Sequence, residues 1–528
     1  MNLLLVASVL FLAIFAIKIS NRSGVPALLL FIVLGMAFSI GGFEFQDYEF
    51  ADNFATLALM VIIFQGGFST NWNMAKPVSN VSIVLSFFGV VATGILTGLF
   101  CHYILGFKFL EGMLIGSIVA STDYASVSNI LRSKHLNLKF NTASLLEVES
   151  GSNDPAAYTM TMIFISIMLG ENISIPLMIF KQIVLGVGMG FLMGYGVMKL
   201  IRKLSFDSDG LFIIFIVAST LLTFSITNAI GGNGFMAAYI FGIYVGNQQF
   251  KGKRDSIFFL DGFSSLMQIG LFFILGLLSD PLKFLQNLPM AAIIMIFMTL
   301  IGRPLSVFGL MLPFKRPTNQ KLLISLAGLR GAAGIAFAIM AVNSGVIIEG
   351  DIYHVVFGIC VLSSLLQGSL MPYGAKYLDM IDPSDTVLKT FNDYQDKSEL
   401  GFIQTPITKY SRWKGRKVSD LNLAFNVIVA KIEREGKTVV PRGDTIILEG
   451  DIIVLGGKAH FDPTGHDLVE FTITHDHKWA NQLLMNLNLP NTFLIIMLQR
   501  DEKIIVPTGR TKILPGDKLV TIKGEDHT

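Results

Sequence analysis

The sequence predicts an all-α polytopic membrane domain followed by an α+β cytoplasmic tail. Of its 528 residues, 52% are hydrophobic and only 15% are charged, which is more apolar than soluble globular proteins are. Apolar residues before position 378 form about 13 runs, most of them close to the roughly 20 residues that a helix needs to cross a bilayer. No run of that length follows position 378, so the rest of the chain is predicted to lie in water.

The first run has no basic segment before it and no small-residue cleavage motif, so it is predicted to be a retained helix and not a signal peptide. Lys and Arg gather in alternate loops, and Arg132, Lys139 and Arg202 fall on one side. This bias predicts a multi-pass membrane protein with the N-terminus outside and the C-terminus in the cytoplasm. The predicted spans lie near 2–19, 24–41, 51–68, 79–104, 110–132, 142–169, 175–200, 211–230, 234–247, 257–278, 288–312, 321–344 and 351–375.

The predicted domains are a membrane domain at 1–378, a linker at 379–400 and two modules at 401–460 and 461–528. The modules are defined by an internal repeat in which alternating apolar residues flank a polar turn and a Gly-Asp turn. Matched positions lie 66 residues apart: Leu421 and Leu487, Arg434 and Arg500, Pro441 and Pro507, Gly450 and Gly516.

The net charge and the cysteine content limit which partners and cofactors the sequence predicts. The net charge is +2 without a long basic block, so no nucleic-acid partner is predicted. Cys101 and Cys360 lie in apolar surroundings, away from any Cys-x-x-Cys pair or His cluster, so they are interpreted as small core residues. No cofactor is predicted.

The fifth span contains a polar interruption where a membrane helix should be most apolar. Ser121, Thr122, Asp123 and Ser126 lie about midway along it. An ionisable group at this depth is costly, and irregular backbone is tolerated there only where it lines a cavity or is buried in protein. The pattern predicts a discontinuous helix beside a water-filled cavity.

The sixth span carries a polar stripe on one helix face. Glu149 and Asn153 lie one turn apart, as do Ser150 and Asp154. Pro155 cannot donate to the carbonyl of the preceding turn, which would supply a further oxygen. The stripe therefore predicts an oxygen-rich site on this helix.

The twelfth span places Arg330 among glycines, where a permanent charge needs a buried carboxylate. Glu149 is the predicted partner, although the pair could be purely structural. Arg303 in the eleventh span has no obvious partner. Glu147 could lie near the cytoplasmic end of its span and simply face water.

Oxygen ligands from carboxylate, hydroxyl and main-chain carbonyl groups suit an alkali cation, whereas soft metals prefer Cys or His. A carboxylate withdrawn from water can hold either a proton or a cation near neutral pH. Competition between the two ions for one carboxylate is the simplest mechanism of antiport.

Three motifs in order give the chain a family resemblance. STD at 121–123, ESGSNDP at 149–155 and GLRGAAGIAFA at 328–338 resemble the NhaP-type monovalent cation:proton antiporters, particularly the bacterial potassium/proton antiporter (cell volume regulation) subgroup. The resemblance covers about residues 1 to 380. It implies a homodimer in the lipid bilayer of the bacterial inner (cell) membrane, with 13 helices per subunit arranged as inverted repeats and two broken helices crossing at the ion site.

The resemblance also implies roles for individual residues. Asp154 would be the acid that binds the cation or the proton, and it would share the cation with Asp123, Ser150 and the main chain of Thr122. The family's usual Thr-Asp-Pro is Thr-Asp-Tyr here, with Tyr124 in the third place.

The supporting residues have implied roles as well. Asn153 stands where electrogenic relatives have a second aspartate, which suggests electroneutral exchange. Glu149 and Arg330 would form an ion pair that braces Asn153.

The tail modules resemble the TrkA-C lobe of potassium-conductance regulators, seen twice without the nucleotide-binding lobe. Such lobes in relatives can bind small ligands, so cyclic di-AMP or a nucleotide is a possible regulator. A structural dimer clamp is the alternative.

The function predicted from these observations is electroneutral exchange of a monovalent cation, K⁺ before Na⁺, against H⁺ by alternating access, for cation and pH homeostasis. A ligand-gated cation channel is the alternative, although no filter loop of the potassium-channel type occurs in the sequence. An enzyme is not predicted, because no nucleophile or metal motif is present.

Overall fold

The structure is a computed structural model. It describes residues 3–23, 26–43, 45–133, 136, 138–203, 209–248, 250, 253–382, 400–409, 411–421, 423, 427–434, 437–458, 468–474, 477–487, 489, 493–500, 503–505 and 507–523. The chain divides into two compact units, Met1–Gln395 and Asp396–Thr528, which are described separately. Most of the predicted linker at 379–400 lies outside the described residues.

The described part of the first unit is helical. Short 3₁₀ and π segments join α4 to α6 (Lys76–Val78 and Leu85–Gly89), and a π segment joins α14 to α15 (Met298–Gly302). The helices are α1 Leu3–Ser23, α2 Ala27–Ile40, α3 Tyr48–Ser69, α4 Trp72–Ala75, α5 Ser79–Val84, α6 Val90–Tyr103, α7 Phe109–Ile118, α8 Tyr124–Ser133, α9 Thr142–Met168, α10 Ile175–Lys203, α11 Asp209–Ala229, α12 Gly234–Gly246, α13 Lys253–Leu278, α14 Pro281–Phe297, α15 Arg303–Leu310, α16 Thr318–Leu326, α17 Ala332–Asn343 and α18 Ile352–Tyr377.

Helix occurs in every predicted span, so the helical membrane fold class is confirmed. Within the described ranges, seven helical segments are individually long and apolar enough to cross a membrane. Other helices are shorter, either because the predicted span is divided between two helices or because the helix begins after the start of the predicted span. The number of helices that cross the membrane, their orientation and the inverted repeat therefore stay predictions.

Two spans are interrupted. The fifth is divided into α7 and α8 by residues 119–123, and the twelfth into α16 and α17 by residues 327–331. The polar residues in the first break are the feature that predicted discontinuity there, whereas a second broken helix was expected only from the family resemblance. Tyr124, which replaces the family's proline, is the first residue of α8, so the break forms with tyrosine at this position.

Glycines allow three pairs of helices to pack backbone against backbone. A Cβ atom at Gly35 of α2 would lie 2.2 Å from a carbonyl oxygen of α13. At Gly67 of α3 it would lie 2.4 Å from a carbonyl oxygen of α12, and at Gly116 of α7 it would lie 2.2 Å from one of α6. Real Cβ atoms do not approach so closely, so glycine is required for these contacts.

The second unit confirms the sequence repeat as two antiparallel sheets with one topology. The first has strand order β1-β4-β2-β3 and the second has the matching order β5-β8-β6-β7. The register shifts at Val429/Lys431 in β2 and at Ile495/Met497 in β6, again 66 positions apart. The strands are β1 Leu400–Pro406, β2 Val427–Arg434, β3 Lys437–Val439, β4 Ile452–Lys458, β5 Leu468–Thr472, β6 Phe493–Arg500, β7 Lys503–Ile505 and β8 Lys518–Lys523.

Each module has its own small core of equivalent residues. A tryptophan packs against each core, Trp413 in the first module and Trp479 in the second. The buried aliphatic pairs are Ile407 and Ile473, Ile432 and Leu498, Ile447 and Ile513, and Ile453 and Leu519.

An ion pair between a buried aspartate and a partly exposed arginine closes each module. Arg434 donates from Nε and Nη2 to the two carboxylate oxygens of Asp451, at 2.8 and 2.9 Å, and from Nη2 to the Ile446 carbonyl. The amide of Leu448 donates to the same carboxylate at 2.8 Å. These bonds hold the pKa of Asp451 below its usual range, against the opposing effect of burial.

The second module repeats the arrangement with Arg500 and Asp517, at 2.7 and 2.8 Å. Burial raises the pKa of Asp517 more than any other single effect. The hydrogen bonds from Arg500 and from the Leu514 amide together outweigh burial and leave that pKa lowered.

Asp451→Asn should lower the free energy of unfolding of the first module by about 1–3 kcal/mol at pH 7, because a buried charge-assisted pair is lost. A folded pKa below the unfolded value of about 3.9 means that the pair stabilises above about pH 4 and loses its contribution below it. The measurement is urea unfolding followed by Trp413 fluorescence, with Trp72 and Trp479 replaced by phenylalanine.

The control is Asp444→Asn, which removes an exposed turn carboxylate of the same module. The difference between wild type and Asp451→Asn should shrink as the pH falls below about 4. An equal difference at pH 3 and pH 7 would contradict the role given to this pair.

Candidate functional site

The two helix breaks lie against each other. The backbone amide of Asp123 in the first break donates to the carbonyl of Leu329 in the second, at 2.8 Å. A Cβ atom at Gly331 would lie 2.4 Å from an Asp123 carboxylate oxygen. The predicted crossing of two broken helices is therefore present, and glycine at 331 leaves room for the carboxylate.

Arg330 fastens the two breaks together. Its Nη1 donates to the carbonyls of Ala120 and Ser121, at 2.6 and 2.8 Å. Its own amide donates to the Ser363 hydroxyl at 3.0 Å, and its side chain is buried. Arg330 thus satisfies carbonyls that the end of α7 leaves without helical donors.

Asp123 occupies the position before the first residue of α8. Its carboxylate accepts from the Ser126 hydroxyl at 2.6 Å and from the Ser126 amide at 3.3 Å, as an N-terminal cap does. Asp123 is also close enough to Asp154 for the two carboxylates to interact electrostatically. The two predicted acids therefore share one site.

α9 brings the other predicted residues to the first break. Ser150 donates its hydroxyl to the Thr122 carbonyl at 2.5 Å, and Asn153 donates to the Thr122 hydroxyl at 2.5 Å. Asp154 accepts from the Ser121 hydroxyl at 2.6 Å. The polar stripe predicted on this helix thus faces the break, and Ser121 is a contact of the acid that the sequence analysis did not assign.

The predicted pairing of Glu149 with Arg330 is wrong. Glu149 instead accepts from Nη2 of Arg303 at 2.6 Å, and the two side chains are only 1% and 2% exposed. Arg330 is occupied by backbone carbonyls. Since both arginines lie within apolar spans, helix periodicity could not distinguish which one faces Glu149.

A cavity of about 480 Å³ adjoins the acids. Its lining includes Asp123, Asp154 and Ser150, and it extends to Ser69 near the end of α3 and Phe258 near the start of α13. The cavity therefore leads from the crossing of the breaks toward one end of the helical domain.

Two acids on this cavity were not assigned from sequence. Glu147, which was expected to face water simply, is only 8% exposed and lines the cavity. Asp261 of α13 also lines it and accepts from the Gln65 amide at 2.5 Å. An ionisable residue inside the tenth span was the signal that would have identified Asp261.

The described residues hold no cluster of three or more Cys, His, Asp or Glu side chains suited to a resident metal ion. The lining offers carboxylate, hydroxyl and carbonyl oxygens, which suit a hard cation. Crossed helix breaks and paired acids within an apolar helical domain define the class of secondary ion transporters with discontinuous helices.

Comparison with known proteins identifies the family. Residues 7–373 match the family of sodium/hydrogen exchangers (transmembrane region), and residues 403–460 and 468–522 each match the TrkA-C domain. The chain therefore belongs to the sodium/hydrogen exchanger family. The recognition of an NhaP-type antiporter with TrkA-C modules, made from three motifs and a repeat, is confirmed.

Two curated relatives are both named as K⁺/H⁺ antiporters. The K⁺/H⁺ antiporter NhaP of Alkalimonas amylolytica is 35% identical over 390 residues, which cover 72% of this chain and 68% of that protein. The K⁺/H⁺ antiporter NhaP2 of Shewanella sp. (strain ANA-3) is 32% identical over 367 residues, covering 68% and 63%. The match thus spans about two thirds of each relative's length.

A solved structure supports the fold. The sodium proton antiporter MjNhaP1 from Methanocaldococcus jannaschii superimposes with a TM-score of 0.62 over 70% of this chain and 97% of that one, at 21% identity. This likeness concerns the fold of the membrane domain.

Arg303→Met should destabilise the membrane domain by about 3–5 kcal/mol, because it strands the buried carboxylate of Glu149. Replacing both residues with methionine should recover most of that loss. Thermal unfolding can be followed through labelling of the buried thiols of Cys101 and Cys360, which become reactive only on unfolding.

The comparison variant is Arg330→Met, which should also lose stability. Adding Glu149→Met to that variant should not recover the loss. If Glu149→Met recovered the stability of Arg330→Met but not that of Arg303→Met, the pairing predicted from the sequence would be correct.

Proposed function

We propose that this protein exchanges a monovalent cation for a proton across the bacterial inner membrane, with K⁺ the favoured cation and Na⁺ the alternative. The observation that carries the proposal is the carboxylate of Asp154, which lies beside Asp123 on a cavity at the crossing of two helix breaks. Cation and proton homeostasis is the biological role that such an exchange serves.

Asp154 is the group for which the two ions compete. When it is ionised, it binds the cation together with Asp123, the Ser150 hydroxyl and the Thr122 carbonyl. When it is protonated, it no longer attracts the cation, and the cation leaves. The hydroxyl of Ser121, 2.6 Å from Asp154, orients the carboxylate in this structure.

The exchange is proposed to be electroneutral. Asn153 contributes an amide where a second carboxylate would carry a second proton, and its Nδ2 is occupied by Thr122. One carboxylate that alternates between one cation and one proton moves no net charge.

The preference for K⁺ is supported by the names of the curated relatives from Alkalimonas and Shewanella. The alternative of a cation channel has less support, since carboxylates that bind an ion firmly slow conduction. No covalent step is part of the proposal, so the protein is a secondary transporter and not an enzyme.

The proposal extends to assembly and regulation. The protein is proposed to be a homodimer with its N-terminus outside and its tail in the cytoplasm. In that orientation the cavity opens to the cytoplasm. The TrkA-C modules then serve either as a site for a small regulator, such as cyclic di-AMP or a nucleotide, or as a dimer clamp.

Asp154→Asn should abolish exchange in proteoliposomes that hold an imposed pH gradient. A neutral amide cannot take up the proton, and it has no negative charge with which to attract the cation. K⁺ and Na⁺ are added in turn, and dissipation of the gradient is followed with a pH-sensitive dye. Asp379→Asn, which removes an exposed acid paired with Lys139, is the control and should exchange normally. Wild-type exchange by Asp154→Asn would end the role proposed for this acid.

Electroneutral exchange predicts that an imposed membrane potential leaves the wild-type rate unchanged. The potential is set in the same vesicles with a lipophilic counter-ion while the pH gradient is held constant. A rate that rises several-fold with an inside-negative potential would show that net charge moves, and the one-for-one stoichiometry would have to be abandoned.

A further inference from the structure

Glu147 is a buried acid that the proposed exchange site does not use. It lies two residues before Glu149 near the start of α9, is 8% exposed and lines the cavity. A carboxylate at such a place is costly unless it serves the ion or a neighbouring group.

α9 aligns Glu147 with the exchange site. Glu147, Gly151 and Asp154 are spaced by four and three residues, so they lie on one helix face. All three line the cavity. The rise between the two acids is about 10 Å, and the position between them carries no side chain.

The phenol of Tyr239, from α12, fills the space above Gly151. A Cβ atom at Gly151 would lie 2.3 Å from the Tyr239 ring and 2.6 Å from its hydroxyl oxygen. The phenol therefore lies between the two acids along α9. Glu147 is near enough to interact electrostatically with this hydroxyl.

The hydroxyl of Tyr239 is an unused ligand. Tyr239 is 1% exposed and lines the cavity, and its oxygen has no hydrogen-bond partner among the described residues. The hydroxyls of Ser152 and Thr70 lie near this oxygen, and that of Thr70 donates to the Gly66 carbonyl instead, at 2.8 Å. Ser264 of α13, 3% exposed, presents a second unpartnered hydroxyl to the same cavity. Buried polar atoms are normally satisfied, so two such oxygens on one cavity indicate a missing ligand.

We propose that Glu147 and the Tyr239 hydroxyl form a second resting place for the transported cation, between the cavity mouth and Asp154. A carboxylate and neutral oxygens are the ligands that an alkali cation accepts when it loses part of its water shell. The inference rests on the proposed exchange and deepens it. Asp261 of α13 lines the same cavity but does not lie on the face of α9 that carries Glu147 and Asp154.

A resting place lowers the barrier to cation access without changing equilibrium binding at Asp154. Glu147→Gln should therefore raise the KM for K⁺ about tenfold, the effect expected when one interaction with a charged group is lost. The rate at saturating K⁺ should approach that of wild type. Tyr239→Phe should raise KM in the same direction, since it removes only the oxygen.

The experiment measures K⁺-driven dissipation of a pH gradient by full-length protein in proteoliposomes, over a range of K⁺ concentrations. The variants are Glu147→Gln, Tyr239→Phe, the double variant and Glu147→Asp, which should recover most of the wild-type KM. Because both residues act on one step, the double variant should match Glu147→Gln within about twofold. The control is Asp261→Asn, which removes one charge from the same cavity.

Stabilisation of the purified protein by K⁺, measured as a shift in Tm, separates access from binding at Asp154. Most of this shift should remain in Glu147→Gln, because Asp154 still binds K⁺. A wild-type KM in Glu147→Gln and Tyr239→Phe would overturn the resting place. So would an equal rise in KM in Asp261→Asn, since the cavity charge alone would then account for it.

If Glu147→Gln does not fold, Tyr239→Phe and Glu147→Asp decide the matter by the same KM criterion. Wild-type vesicles that show no exchange at all would instead refute the proposed function, and the resting place with it. The two failures are therefore distinguishable.

Discussion

The proposed exchange site depends on the hydrogen bonds that connect two broken helices. Within a membrane, a broken helix leaves amides and carbonyls that no water can satisfy at low cost. Here the amide of Asp123 donates to the carbonyl of Leu329, and the guanidinium of Arg330 donates to the carbonyls of Ala120 and Ser121. A fixed positive charge in the second break thus stabilises the first break.

Much of the site was predictable because its chemistry is local in sequence. A polar interruption of an apolar span marks a break, and the spacing of Ser150 and Asp154 places them on one face of α9 whatever packs against it. The tail was predictable for another reason. In a repeat at constant offset, each matched position is seen in two copies of the same fold. The partners of Arg434 and Arg500 therefore occur at equivalent positions.

The remaining features depend on how helices face one another, which periodicity within one helix does not determine. Two arginines in separate spans could each have met Glu149. The arginine that does so is Arg303, because α15 packs against the π segment Leu85–Gly89, which itself packs against α9. The cavity likewise exists between helices distant in sequence. Asp261 and Glu147 belong to it because α13 and α9 both contribute to its lining. Tyr239 could not be linked to Gly151 without the position of α12.

The glycine contacts described for α2 with α13, α3 with α12, and α6 with α7 bear on how the protein moves. Backbones in van der Waals contact along a helix pair cannot slide or rotate against each other without opening voids that lipid and side chains cannot fill. Each pair is therefore expected to travel as one rigid body. Any rearrangement that exposes the site to the opposite side of the membrane must shear along the surfaces between these bodies. Because α9 carries Asp154 and meets α3, α6, α7 and α12, it lies where such surfaces converge.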